Sequence, residues 1–216
     1  MTPPRFDWLA PHYAWVERLT YGGWLHRCRT ALLGELTDAR RVLILGEGDG
    51  RFLADFLKAN PVATVDVIDA SAGMVALARQ RLRRVPGAAD RVSWHVADAR
   101  RFDFRPASYD LIVTNFFLDC FPASELEPLV SRLAQCLSPG GRWLVGDFAL
   151  PSGRARRLFA RLALVGMYAF FAVGTGIPAV RLADPTPLLL AEGLRPEREA
   201  RLLGGFLMAQ QWRAPG

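Results

Sequence analysis

"RVLILGEGDGRF", Arg41 to Phe52, is an apolar run that breaks into three glycines at alternate positions, Gly46, Gly48 and Gly50. A short apolar run bounded by glycine reads as a buried strand entering a tight turn, and the next apolar residues, from Phe52, open a helix. Such turns cradle nucleotide-like ligands. The spacing here is G-x-G-x-G, with Arg51 three positions after Gly48. It therefore departs from the G-x-G-x-x-G dinucleotide fingerprint, and it lacks the Lys-Ser/Thr pair of a triphosphate loop. Glu47 and Asp49 lie between the glycines and would repel a pyrophosphate seated on the turn. A cationic or zwitterionic ligand suits them better.

The rest of the chain repeats the strand–turn–helix rhythm. Strands are expected at Arg41–Leu45, Ala63–Ile68, Arg91–Val96, Tyr109–Asn115 and Arg142–Phe148. Helices are expected over residues 11–37, from the glycine turn through Lys58, from Ser71 as N-cap to about Arg84, and from Pro122 to Leu137 with Ser124 and Glu127 spaced as a capping box. The turn "SPGG" should lead into the fifth strand. A long apolar helix is expected near 151–173, then a short one opened by Asp184 and Pro185 and ended by Gly193. "LRPEREARLLGGFLMAQQW" reads as two strands joined tightly at Gly204-Gly205. Five βα units and a closing hairpin imply an α/β fold, a mostly parallel sheet with helices on both faces.

In such sheets ligands bind beyond the carboxyl ends of the strands, where strand order reverses. Asp69 stands at the end of the second strand, where an acid can accept hydrogen bonds from both hydroxyls of a ribose; alone it could equally stabilise a helix N-terminus. Ala70 follows it, and Met74 lies one turn on, either against an adenine face or in plain core. Asp98 and Ala99 occupy the same place after the third strand, where an acceptor can take an exocyclic amino group or simply cap a turn. The fourth strand delivers Asn115, Phe116 and Phe117, and Asp119 follows them.

At 216 residues, with 51% apolar and 22% charged residues, the composition is that of one globular domain. The net charge of +6 is carried by arginine, Lys58 being the only lysine. The clusters at Arg79–Arg84 and Arg154–Arg161 read as solvated helix faces, with an anionic-surface patch as the alternative. No nucleic-acid motif accompanies them, so no nucleic-acid partner is expected. Cys28, Cys120 and Cys136 have no zinc or disulfide spacing, which suits a reducing, cytoplasmic setting. No signal peptide is legible at the N-terminus. Leu162–Val180 is uncharged, but Gly174, Gly176 and Pro178 interrupt it, so it is expected as a buried or interfacial helix with peripheral membrane contact as the limit.

Taken together, "VLILGEGDGRF", "VDVIDAS", "VSWHVADAR", "YDLIVTNFFLDCF" and "LSPGGRWLVGDF" resemble the class I S-adenosylmethionine-dependent methyltransferases over roughly residues 40–150. The resemblance implies a seven-stranded Rossmann-like sheet and a single domain. Residues 1–38 would form a helical lid, 40–150 the cofactor core, 151–193 an apolar substrate region and 194–216 the closing hairpin. It implies S-adenosyl-L-methionine as cofactor, S-adenosyl-L-homocysteine as product, and a small-molecule acceptor. It places the methionine part at Gly46, Gly48 and Gly50, ribose at Asp69, the adenine amino group at Asp98, and the transferred methyl near Asn115 and Phe116. "FDWLAPHYAW" and "LVGDFALP" are similar to the lid and fifth strand of quinone-biosynthesis C-methyltransferases; the apolar helix 158–173 either covers the sheet or walls the acceptor pocket, and the latter favours a hydrophobic acceptor.

One position departs from that family: the acid usual two residues before the first glycine is Ile44 here. Glu47 or Asp49 is expected to compensate. Where the nucleophile needs a base, the candidates are His12, Tyr13 and Asp119, with Tyr21, Phe117, Asp147, Tyr168 and Phe171 as acceptor contacts. A nicotinamide oxidoreductase on the same sheet and a non-catalytic cofactor-binding protein are the rival readings. The oligomeric state has no signal in the sequence.

Overall fold

The computed structural model of the protein describes residues 23–151 and 184–216. The expected lid up to Gly22, the apolar stretch 162–180 and the candidates His12, Tyr13, Tyr21, Tyr168 and Phe171 lie outside those residues.

One sheet of seven strands organises them: β1 Arg41–Leu45, β2 Thr64–Asp69, β3 Val92–Val96, β4 Tyr109–Asn115, β5 Leu137–Phe148, β6 Arg195–Leu202 and β7 Leu207–Arg213. The order is β3-β2-β1-β4-β5-β7-β6. Strands β1 to β5 run parallel, and β7 is antiparallel to both of its neighbours. Strand order reverses between β1 and β4, so the ligand crevice belongs at their carboxyl ends. The described helices are α1 Trp24–Thr30, α2 Arg51–Ala59, α3 Ala72–Leu82, α4 Ala123–Ala134 and α5 Thr186–Ala191.

Strand β1 explains the layering. Val42 and Ile44 join Phe52, Leu53, Phe56 and Leu57 of α2 on one face. Leu43 and Leu45 join Leu126, Leu129, Val130 and Leu133 of α4 on the other. Both faces of the strand are therefore covered, which is why its sequence is continuously apolar rather than alternating. Each of these buried side chains contributes about 1.5–3 kcal/mol relative to exposure. A smaller cluster, Leu25 and Cys28 with Phe148, Leu207 and Ala209, docks α1 against β7.

Several local expectations hold. Ser71 Oγ accepts the Met74 N–H at 3.1 Å, and Gly193 turns the chain after α5 at φ 79°. Asp184 Oδ1 accepts the Thr186 N–H at 3.0 Å. Others need correcting. Helix α1 stops at Thr30 and a separate 3-10 turn follows at Leu33–Leu36; Gly34, a poor helix former, sits in that turn. Helix α4 starts at Ala123 behind Pro122, with no side-chain cap. The fixed φ of Pro122 sets the entry, so Ser124 is already inside the first turn and the expected capping box does not form. "SPGG" lies within β5, which begins at Leu137, and is absorbed as a register shift opposite Tyr109 and Leu111. The hairpin connection is longer than a two-residue turn: Leu203, Gly204 and Gly205 all adopt positive φ. Among the described residues no helix is long and apolar enough to cross a membrane.

Candidate active site

The glycine turn after β1 is built from left-handed backbone. Gly46, Gly48 and Gly50 have φ of 63°, 70° and 82°. A Cβ at Gly46 would meet the Phe117 ring at 2.6 Å, and one at Gly50 would meet Ala78 Cα at 2.7 Å. Gly48 faces open space. Two of the three glycines thus serve packing, and the middle one presents bare backbone to the crevice.

The two acids of the turn have different tasks. Asp49 is buried, and its carboxylate accepts from Arg51 Nε at 3.0 Å and Arg81 Nη2 at 3.0 Å. Its charge is spent within the protein, so it brings the loop and helix α3 together. Glu47 is half-buried, and its Oε1 accepts the Leu53 N–H at 2.9 Å. Desolvation pushes its pKa up to about 8, the Leu53 N–H and Arg29 opposing, the Asp49 and Asp69 charges adding. Ile44 is 1% exposed and packed among the α2 side chains. An acid at that position would face the core.

At the end of β2, Asp69 closes the turn from the side. Its Oδ2 accepts the Gly48 N–H at 3.1 Å and its Oδ1 the Ser71 N–H at 2.9 Å. Ala70 is exposed beside it, while Met74 is buried. Asp98 is more heavily engaged: Arg100 donates to it from the backbone and side chain and also reaches Glu125 at 2.8 Å. The Arg100 hydrogen bonds hold the Asp98 pKa below the ordinary carboxylate range. Ala99 is buried behind it.

The ends of β4 and β5 form the floor. Asn115 is 8% exposed, and among the described residues neither Oδ1 nor Nδ2 has a hydrogen-bond partner. It pairs in register with Gly146, where a Cβ would come within 2.3 Å of Asn115 Oδ1. Phe116 turns out of the strand at φ 53°, a strained conformation for an aromatic residue. Its ring carries the Arg29 guanidinium at 5.2 Å and continues to Phe148 at 5.1 Å and Phe206 beyond at 5.4 Å. Phe117 packs on Phe121 at 5.0 Å. Asp119 and Asp147 are both buried. Desolvation raises Asp119 to about 6, and desolvation followed by the Asp119 charge raises Asp147 well above the ordinary range.

The structure therefore gathers Glu47, Asp69, Asn115, Phe116, Phe117, Asp119 and Asp147 around the strand ends. Sequence reasoning missed Arg81, Arg29 and Arg100. Arg81 was read within a solvated cluster, but it clamps Asp49 from 32 residues away, and no local pattern announces such a pairing.

A family model described as a methyltransferase domain matches residues 42–141. The chain is 34% identical over 125 residues to polyamine aminopropyltransferase 2 of Bacillus anthracis, across 52% of this chain and 34% of that protein. It is 29% identical over 153 residues to the ubiquinone/menaquinone biosynthesis C-methyltransferase UbiE of Stutzerimonas stutzeri (strain A1501), across 69% of this chain and 58% of that protein. It thus spans about a third of the first relative's length and over half of the second's. The solved structure of the S-adenosylmethionine-dependent methyltransferase SibL in its apo form aligns with TM-score 0.71 at 23% identity, over 100% of this chain and 63% of that one. Residues 42–141 thus carry the match to a methyltransferase domain, and the alignment with SibL shows that the seven-stranded sheet has the same fold.

Proposed function

We propose that the protein transfers a methyl group from S-adenosylmethionine to a small acceptor with an apolar body. The observation that carries this reading is the pairing of Gly48 with Asp69 at 3.1 Å across the switch-point crevice. It sets an open backbone turn against an acid at the end of β2, next to the half-buried Glu47.

The side chains fit a cationic adenosyl ligand and not a dinucleotide. Asp69 faces the crevice from β2, and a pyrophosphate on the same turn would meet its charge. Arg51, whose Nε donates to the Asp49 carboxylate, stands where a dinucleotide site would want a third glycine. In this reading Gly46, Gly48 and Gly50 shape the methionine pocket, Glu47 faces its ammonium and sulfonium end, and Asp69 takes the ribose hydroxyls. Ala70, Met74, Asp98 and Ala99 bound the adenine, Asp98 with Arg100 as a fixed pair.

When bound, S-adenosylmethionine supplies an electrophilic methyl on a leaving group that needs no proton. The chain's contribution is alignment and a dry environment. Asn115 and Phe116 stand at the end of β4 where the acceptor must approach, and the rings of Phe116, Phe148 and Phe206 offer an apolar wall for its body.

Calorimetric titration with S-adenosylmethionine, S-adenosylhomocysteine and NAD tests the reading. Both adenosyl compounds should bind and NAD should not. Binding of NAD with neither adenosyl compound would overturn it. Asp69→Ala should weaken adenosyl binding by about 1–3 kcal/mol, because it removes an acceptor and unpairs the Gly48 N–H.

A further inference from the structure

The two edges of the sheet are guarded unequally. Among the described strands β6 pairs with β7 alone and β3 with β2 alone, so each presents a row of backbone N–H and C=O groups without a strand partner. Strand β6 carries the usual guards: charges at Arg195, Glu197, Arg198, Glu199 and Arg201, and Pro196 at a register shift against β7. Strand β3, "VSWHV" from Val92 to Val96, has no proline and no Asp, Glu, Lys or Arg, and it keeps continuous register with β2. Nothing in its own sequence discourages a further strand.

Beside this edge lies a groove of about 440 Å³ between α3 and β3, lined by Ala72, Val75, Ala76, Arg79 and Arg83 together with Val96. Pairing of Val67 with Trp94 and of Asp69 with Val96 puts Trp94 and Val96 on the sheet face that α3 covers. Val96 is 53% exposed despite its apolar side chain. Ala72 and Ala76, one helical turn apart and both exposed, are short enough to leave the groove open. Arg79 lies over the Trp94 ring at 5.7 Å, and Arg83 is exposed at the end of α3. Among the described residues neither arginine has a carboxylate partner.

An extended peptide laid along β3 answers all of these features. It takes up the outward backbone groups of the edge and drops alternate side chains into the space against α3. The floor of Ala72, Val75, Ala76 and Val96 suits aliphatic side chains, and the two guanidiniums call for carboxylates. A second copy pairing through its own β3 would bring two such arginine pairs together, which charge repulsion opposes. The β6 edge of a second copy fits no better, because its Glu197 and Glu199 are already held by Arg213 and Arg201.

We propose that the β3 edge and the α3 groove dock an extended acidic segment of a partner protein, which joins the sheet as a further strand and sets its carboxylates on Arg79 and Arg83. Docking at this edge neither requires nor excludes methyl transfer at the strand ends.

The test uses the full chain and the fluorescently labelled peptide acetyl-Glu-Val-Glu-Val-Glu-Val-Glu-amide, read by fluorescence anisotropy. One control carries lysine in place of every glutamate, and a second is the acidic peptide N-methylated along its whole backbone. The acidic peptide should bind at least tenfold more tightly than either control, and it should slow amide exchange over residues 92–96. Arg79→Glu combined with Arg83→Glu should reverse the preference toward the lysine peptide. Arg83→Glu alone, at an exposed position, should reduce it to threefold or less and serves if the double variant does not fold. Absence of acidic-peptide binding, or equal binding of the N-methylated form, would overturn the proposal. So would capture by phosphatidylglycerol vesicles, lost in Arg83→Glu, without peptide binding, which would mark a lipid surface instead. A dimer dissolved by Arg83→Glu in sedimentation would assign the edge to a second copy and overturn it as well.

Discussion

Arg81 grips Asp49 twice, donating from Nε to its carbonyl at 2.8 Å and from Nη2 to its carboxylate at 3.0 Å. Because Asp49 lies inside the glycine turn and Arg81 on α3, this pair fixes the loop to a helix that the sequence places three elements later. Replacing Arg81 by Met should cost about 1–2 kcal/mol, since it leaves a buried carboxylate with Arg51 alone. Thermal unfolding should show it, together with faster amide exchange over residues 46–50. Arg83→Met, two positions along on the exposed side of the same helix, should stay within about 0.5 kcal/mol of wild type.

The turn glycines should separate cleanly by substitution. Gly50→Ala brings a Cβ within 2.7 Å of Ala78 backbone at a φ of 82°, so urea unfolding should report a loss of about 3 kcal/mol or more. Gly48→Ala meets no protein atom within 4 Å and should cost about 1 kcal/mol through its left-handed φ. Its folded form should nonetheless bind S-adenosylhomocysteine at least tenfold more weakly by calorimetry, because the added methyl points into the crevice.

Much of this arrangement was legible in advance. Strands β1 and β4 announce themselves because both faces are covered, and Asp69 and Asp98 were locatable because they follow strands whose ends are marked by turn residues. What stayed hidden was non-local. The pairing of Arg81 with Asp49 joins residues 32 positions apart, and the Arg100–Glu125 bridge joins two further elements. The capping box at Ser124 and Glu127 failed because the helix starts behind Pro122, two residues before the Ser124 hydroxyl could cap it. The fate of the acid missing at Ile44 needed coordinates, since only they show Asp49 held by Arg51 and Arg81 and Glu47 held by the Leu53 N–H.

Glu47 should leave a signature in the pH dependence of stability. Its folded pKa is raised to about 8 from an ordinary 4.5, so the folded state holds this proton more tightly than the unfolded chain. Stability contributed by the protonated form is complete below the unfolded value and is lost as pH rises toward 8. The wild type should melt lower at pH 8 than at pH 6. Glu47→Gln keeps the acceptor for Leu53 N–H and should flatten that difference by several degrees in differential scanning calorimetry.

Restoring the family's strand acid should fail. Ile44→Asp places a carboxylate at a site 1% exposed and lined by Phe52, Leu53 and Val67. Loss of the apolar packing and burial of an unpaired charge together should cost at least about 4 kcal/mol. Soluble expression and circular dichroism would check this. A folded, well-expressed Ile44→Asp protein with tighter cofactor binding would contradict the assignment of that role to Glu47.

Strand β7 follows β6 in the chain yet lies inside it, between β5 and β6. Among the described strands β6 pairs with β7 alone, and the Cys28 thiol on α1 donates to the Met208 carbonyl on β7 at a separation of 180 residues. One strand thus completes two distant regions at once. Assembly of the sheet edge and seating of α1 become a single late event of high contact order. Any lesion that keeps Leu207–Arg213 from inserting should release both together, leaving the strands before it paired but the crevice without its α1 side.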